Sequence, residues 1–143
     1  MEKTFVMIKP DGVEQKLFKY VMERFLDNDL SICDVNIVNL NEDFIKEHYA
    51  HLIDKPFFNH LKEFMLSGPI ISMTVFGENA ISKVRNIIGA TNPNKAEKGS
   101  IRFIYGNKED VTRNVMHASD SKENAQIELD RFNKYRKILK RTK

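Results

Sequence analysis

Thr4-Phe5-Val6-Met7-Ile8, closed by Lys9-Pro10-Asp11-Gly12, is the stretch that decides how this chain folds. A short, unbroken apolar run rich in strand formers, stopped hard by proline and glycine, reads as a central strand covered on both faces. Lys9 then stands just beyond the carboxyl end of a buried strand, where side chains commonly face a ligand. Downstream, Val13, Leu17, Tyr20, Val21 and Phe25 recur at helical spacing, Asn28-Asp29 supplies a turn, and Ser31 to Leu40 resumes a strand-rich pattern. The order is strand, helix, strand.

The pattern continues in the same alternation. Asn41-Glu42-Asp43 is suited to cap a helix through Phe44, Ile45 and His48. Pro56 interrupts, and Phe57, Phe58, Leu61, Phe64 and Met65 form a second helical segment closed by Ser67-Gly68-Pro69. Ile70 to Phe76 is another buried strand, followed by a helix with Ala80, Val84, Ile87 and Ile88 on one face and Arg85 at its edge. From Gly89 to Ser100 periodicity lapses into a long polar loop, and long ordered loops in compact domains are often functional. Arg102 follows, then a polar, acidic stretch to Asp110, a short strand and a last helix. In that helix Asp120 with Glu123 makes a capping-box-like start, and Ala125, Leu129 and Phe132 share a stripe. Non-local strands alternating with helices favour an α/β (α+β) sandwich of the ferredoxin-like kind, a four-stranded antiparallel sheet with helices packed on it.

Composition bounds what such a chain does. Its 143 residues are one domain's worth, 30% charged and 41% hydrophobic, and no apolar run approaches the ~20 residues of a membrane span. The amino terminus lacks the zones of a secretory signal, which points to a reducing, cytoplasmic setting. Cys33 has no cysteine partner in its own chain and reads as inert core or strand filler, so a disulfide framework and a cysteine metal site are excluded. Net charge is only +3, yet Arg131, Lys134, Arg136, Lys137, Lys140, Arg141 and Lys143 crowd the end of the chain without one acid among residues 131–143. That basic tail is either a solvated extension or a surface for nucleic acid. The domain is accordingly placed at residues 1–132, with 133–143 as a basic C-terminal extension.

The chemistry centres on Asn114-Val115-Met116-His117-Ala118-Ser119-Asp120-Ser121. It sets an imidazole where a short strand gives way to a helix start, and helix starts welcome anions such as phosphate. Glu128 borders the inward stripe of the following helix, where an unpaired carboxylate would be costly, and His117 is its obvious partner. Walker A, Gly-x-Gly-x-x-Gly and His-Glu-x-x-His patterns are all absent, and His48, His51, His60 and His117 show no metal-ligand spacing with cysteine. Ser119 lacks the Gly-x-Ser-x-Gly elbow of a hydrolase. A histidine with a carboxylate partner, separated Lys and Arg residues and a polar loop suits phosphoryl transfer through a phosphohistidine.

These residues carry a resemblance. Asn114-Val115-Met116-His117-Ala118-Ser119-Asp120 is similar to the active-site signature of nucleoside diphosphate kinases, and Thr4 to Gly12 resembles that family's first strand and turn. The similarity continues, in the family's order, through Glu47-His48-Tyr49, Pro56-Phe57-Phe58, Ser67-Gly68-Pro69, Gly89 to Pro93 and Gly99 to Arg102. It implies transfer of a γ-phosphoryl group from a nucleoside triphosphate to a nucleoside diphosphate by a ping-pong route, with His117 carrying the phosphoryl group and Glu128 orienting it. It further implies that Lys9 contacts the sugar and phosphates, that Asn114 binds the sugar, and that Tyr49 lies near the histidine. Arg85, Thr91 and Arg102 would contact phosphates, and Phe57 would stack on the base. Mg²⁺ (magnesium) would bridge the phosphates, with Asp120 touching it through water, and the chain would form a homo-oligomer, a hexamer ahead of a tetramer or dimer. The sequence departs from the family at Phe103-Ile104, where Gly-Asp is usual, at Ala118 for glycine, at Lys98 for proline and at Arg131 for the tryptophan before Phe132. The changes after Arg102 leave an alternative: a catalytically weakened member acting as a nucleotide- or nucleic-acid-binding or regulatory module.

Overall fold

The structure, a computed structural model, describes residues 1–141. Its first element is the strand that the opening run demands, β1 (Glu2–Ile8). Side chains alternate across it: Phe5 and Met7 enter one hydrophobic core, Val6 and Ile8 the other. A continuous apolar run is therefore the correct signature of a strand buried on both faces.

The remaining elements follow as α1 (Pro10–Glu14), α2 (Phe18–Leu26), β2 (Ser31–Asn39), α3 (Glu42–His48), α4 (Phe58–Met65), β3 (Ile70–Gly77), α5 (Ala80–Ile88), α6 (Ile101–Tyr105), β4 (Met116–Ala118), α7 (Lys122–Tyr135) and β5 (Lys140–Arg141). The sheet is antiparallel throughout, in the order β4-β1-β3-β2-β5. Its first four strands are the expected ferredoxin-like sheet, and β5 is a short addition at the edge of β2. Side chains of α2 and α5 cover one face, including Val21, Phe25, Val84 and Ile88. Side chains of α3, α4 and α7, including Phe44, Ile45, Leu61, Met65 and Phe132, cover the other.

Several local readings change. The single helix expected across Val13 to Phe25 is two, because Lys16 takes a left-handed conformation (φ 60°) that no α-helix continues through. Helix α6 occupies the first part of a stretch read as irregular; Ser100 caps it by accepting from the Phe103 N–H at 3.3 Å. Helix α7 starts from Ser121, whose side chain accepts from the Asn124 N–H at 3.1 Å, so Asp120 is not its cap. Cys33 lies in a strand but is exposed rather than core, beside a register shift where Asp34 adopts φ 53°.

The carboxyl end is not separated from the domain at residue 132. Helix α7 runs on to Tyr135, Leu139 is buried in the second core, and β5 pairs Val38 with Arg141 and Asn39 with Lys140. Lys143, counted among the basic tail, lies outside the described residues. Among the described residues no helix is long and apolar enough to cross a membrane.

Candidate active site

The strand β4 is the centre of the site, and the turn before it is held under strain. Val115 is fully buried with φ 78°, a conformation that β-branched residues rarely adopt and that costs about 1–3 kcal/mol. Two bonds hold it there: the Val115 N–H donates to Asp11 Oδ2 at 2.9 Å, and its carbonyl accepts from the Lys9 N–H at 2.8 Å. Gly12 permits the close approach, since a Cβ there would meet Ile8 Cγ2 at 2.7 Å and the Val115 carbonyl at 2.9 Å. Thus the turn after β1 and the turn before β4 are one construction.

His117 pairs with Met7 across the β1–β4 ladder, and its side chain faces α7. Its Nε2 lies 2.6 Å from Glu128 Oε1, bringing together the two residues that sequence spacing paired. The same Glu128 oxygen accepts from Ser119 Oγ at 2.9 Å. Ser119 follows directly on β4 in extended continuation, its N–H donating to the Phe5 carbonyl at 3.1 Å, so two residues after His117 it lies on the same face and one carboxylate reaches both. Burial lowers the His117 pKa despite the opposing pull of Glu128, so the resting imidazole is neutral. With Nε2 engaged, Nδ1 is the nitrogen left to act, and 20% of the side chain remains exposed.

On the other side of β4 the polar residues interlock. Lys9 Nζ donates to Asn114 Oδ1 at 2.8 Å, and Asn114 Nδ2 donates to the Thr91 carbonyl at 2.9 Å. The polar loop is therefore tied to the strand end through the backbone of Thr91, while its side chain is exposed. Lys9 is only 6% exposed, and burial, reinforced by the nearby Arg102 guanidinium, lowers its pKa to about 7. Arg85 reaches over from α5 to donate to the Ala118 carbonyl at 3.3 Å.

Arg102 is placed differently from a residue waiting in open solvent. Its Nε, Nη1 and Nη2 donate to the carbonyls of Asn114 (3.1 Å), Gly89 (3.0 Å) and Met116 (2.5 Å), joining the loop, the strained turn and β4. Burial lowers its pKa to about 10, and Arg85 nearby acts in the same direction. Gly89 has φ 93°, and a Cβ there would meet Ser100 Oγ at 2.3 Å, so only glycine fits that end of the loop.

Three expected residues remain. Tyr49 is buried, and its hydroxyl has no hydrogen-bond partner among the described residues; burial and the Glu128 carboxylate push its pKa up. Phe57 is 45% exposed at the start of α4. Asp120 is exposed, and its carboxyl is held below the usual range by the Asn124 amide, which donates to Oδ1 at 2.6 Å. Three participants were not singled out from sequence as site residues: Ser119, His48 and Arg131. For His48 the signal was present, because Phe44 and His48 are four apart on the inward face of α3.

His48 stands with its ring centroid 4.6 Å from that of His117, and ligating atoms of His48, His117 and Glu128 lie within 4.8 Å of one another. A metal is a poor reading of this group. Glu128 and His117 already bond directly, and Nδ1 of His48 is taken by Arg131 Nη1 at 2.8 Å. Two residues of the basic tail make ion pairs: Lys134 Nζ pairs with Glu47 at 2.7 Å, and Arg136 Nη1 donates to Asp34 at 2.8 Å.

Known proteins resemble this chain in sequence and in fold. The family model described as nucleoside diphosphate kinase matches residues 2–138. A curated nucleoside diphosphate kinase from Archaeoglobus fulgidus is 44% identical over 132 residues, covering 92% of this chain and 86% of its own. One from Methanobrevibacter smithii is 42% identical over 132 residues, covering 92% and 87%. Among solved structures, the apo enzyme from Encephalitozoon cuniculi superposes with a TM-score of 0.88 at 37% identity, covering 92% of this chain and 88% of its own. The Halobacterium salinarum enzyme in complex with CDP gives 0.86 at 38% identity, covering 92% and 86%. With a family match across nearly the whole chain and a histidine–glutamate pair at its centre, the chain belongs to the nucleoside diphosphate kinases and is an enzyme of that activity.

Proposed function

We propose that the transfer runs by a ping-pong route through a phosphohistidine on His117. The observation that carries this reading is the 2.6 Å contact between His117 Nε2 and Glu128, which leaves the neutral Nδ1 lone pair available. In the first half, Nδ1 forms a bond to the γ-phosphorus as the bond to the β,γ-bridging oxygen breaks, and the nucleoside diphosphate departs with that electron pair. No proton leaves the attacking nitrogen; the Nε2 proton stays against Glu128, which supports the positive charge developing on the ring. The second half reverses these steps onto another diphosphate. Because charge spreads over the phosphoryl oxygens, placement and cations supply most of the acceleration.

In this reading Lys9, Arg85, Thr91 and Arg102 meet the phosphates, Asn114 the sugar and Phe57 the base, while Tyr49 borders the histidine. Stacking without contacts to base edges tolerates every base, since each has a π-face. Enzymes of this family work with a divalent cation, and Mg²⁺ fits the residues present: Asp120 is an ionised, exposed oxygen donor beside the histidine strand. Bound with the nucleotide, that cation would offset phosphate charge. A homo-oligomer belongs to the same proposal, consistent with Val35 and Ile37 exposed on β2. So does a cytoplasmic setting, with Cys33 a free thiol.

The test is to incubate the protein with Mg²⁺ and a γ-labelled nucleoside triphosphate. An acid-labile, base-stable phosphoprotein that discharges onto added diphosphate is expected; transfer without such a species would overturn the route.

Lys9 gives a second test. Its buried amine is half neutral near pH 7, so a polyphosphate arriving beside it favours the charged form. Nucleotide binding at pH 8 should take up to about one proton per site, and affinity should fall as pH rises above that point. Calorimetry in buffers of differing ionisation heat measures the uptake. Lys9→Met should abolish it, and no uptake by the wild type would refute the role of Lys9.

A further inference from the structure

Nothing in the reaction as described uses Arg131. It projects from α7 with only 14% of its side chain exposed. Its Nη1 lies 2.8 Å from His48 Nδ1, and its Nε lies 3.3 Å from Glu47 Oε2. An arginine has donors and no acceptor, so His48 Nδ1 must be the acceptor and the single proton of a neutral imidazole must sit on Nε2. The ring is fixed on its other sides as well: it stacks on Phe44 at 5.5 Å and 11°, and meets Tyr49 edge-to-face at 4.7 Å. It meets His117 at 4.6 Å and 80°.

We propose that Arg131 is a positioning residue for the nucleophile: by donating to His48 Nδ1 it fixes His48 in its Nε2-protonated tautomer and holds that ring against His117. The proposal rests on His117 being the phosphoryl carrier. A protonated His48 would set a second cation 4.6 Å from the ring that must accept positive charge during transfer. Arg131 opposes that protonation twice, by occupying Nδ1 and by its own charge. The other ionisable groups facing His48 are His117 on β4, Tyr49 just after α3, Lys9 at the end of β1, His51 and, through His117, Glu128 on α7. Burial is the largest cause of the lowered His48 pKa, followed by His117 and then Arg131. Removing Arg131 therefore makes His48 easier to protonate. The acid limb of the reaction should move to higher pH.

The experiment uses the full chain without nucleotide first. Long-range ¹H–¹⁵N correlation of the wild type at pH 8 should show His48 with its proton on Nε2, and Arg131→Leu should give a mixture of tautomers. A wild-type His48 protonated on Nδ1 overturns the proposal, whatever carries the phosphoryl group. With a triphosphate donor, Arg131→Leu should lower kcat/KM about threefold to tenfold at pH 6 and less than about twofold at pH 8, with nucleotide affinity unchanged. Arg131→Lys, which restores a donor and a charge, should recover most of the loss at pH 6. Glu47→Gln removes the salt bridge but not the His48 bond, and should keep the wild-type tautomer; loss of the tautomer there would assign the effect to folding of this corner and defeat the proposal. Failure of the wild type to label at all would strike at the phosphohistidine, not at the tautomer measured without nucleotide.

Discussion

His117→Ala should yield a folded protein that binds nucleotide but forms no acid-labile phosphoprotein, and its turnover should fall by at least about 10⁴-fold. The fold survives because His117 is one residue of the three-residue strand β4, which keeps its register with Val6 and Ile8 when the ring is trimmed. Truncation does leave the Glu128 carboxylate with Ser119 as its remaining partner, at 2.9 Å. Water admitted to the space of the lost imidazole offsets part of that cost. Lys9, Asn114 and Arg85 bond to one another or to backbone rather than to the ring, so their arrangement is kept. Glu128→Ala separates orientation from nucleophilicity. There the imidazole remains but its tautomer is no longer fixed, so labelling should persist at a rate lower by about 10²-fold. Titration calorimetry for binding and rapid-quench labelling for chemistry distinguish the two variants. Normal labelling of His117→Ala would refute the route outright, and unchanged turnover of Glu128→Ala would break the proposed pairing.

What was legible in the sequence was whatever depends on period and on nearest neighbours. The unbroken run in β1 announced a strand with two buried faces, and the alternation of Phe5 and Met7 against Val6 and Ile8 explains why. Glu128 could be assigned to His117 because helical spacing placed a carboxylate at the border of an apolar stripe, where only a partner makes it affordable. Short-range competition was harder to read. Asp120 and Ser121 are both good caps, and the choice fell to Ser121 because the Asp120 side chain is occupied by the Asn124 amide instead. Helix α6 spans only Ile101–Tyr105, too short for a periodic stripe to register. The bulge at Asp34 leaves Cys33 exposed although its neighbours spell a strand. Convergence was invisible altogether. That Arg131 meets His48 depends on how α3 and α7 pack, and no local pattern encodes it.

Arg102 is the clearest case of convergence, and its substitution should have the second large effect. Arg102→Met is expected to lower stability by about 3–5 kcal/mol, a fall of roughly 10–15 °C in Tm for a domain of this size. The guanidinium bonds carbonyls from three separate segments, at Gly89, Asn114 and Met116, and the side chain is almost wholly buried. Methionine fills much of the same volume yet leaves those acceptors short of a donor in a region water enters with difficulty. The damage spreads by geometry. Asn114 anchors Lys9 and the Thr91 loop, and Met116 precedes His117, so turnover should fall together with Tm. Arg102→Lys tests whether charge or shape matters. A lysine keeps the charge but offers a single ammonium centre in place of a planar fork, and three carbonyls approaching from different segments cannot all be met by it. It should recover less than about half of the lost stability. Full recovery by lysine would show that the site needs only a cation there, and an Arg102→Met protein melting within about 2 °C of wild type would show that the carbonyls find other donors. If instead both variants behave as expected, Arg102 is the tie that keeps loop, strained turn and histidine strand in one piece, and any contact it makes with phosphate uses the N–H groups left over.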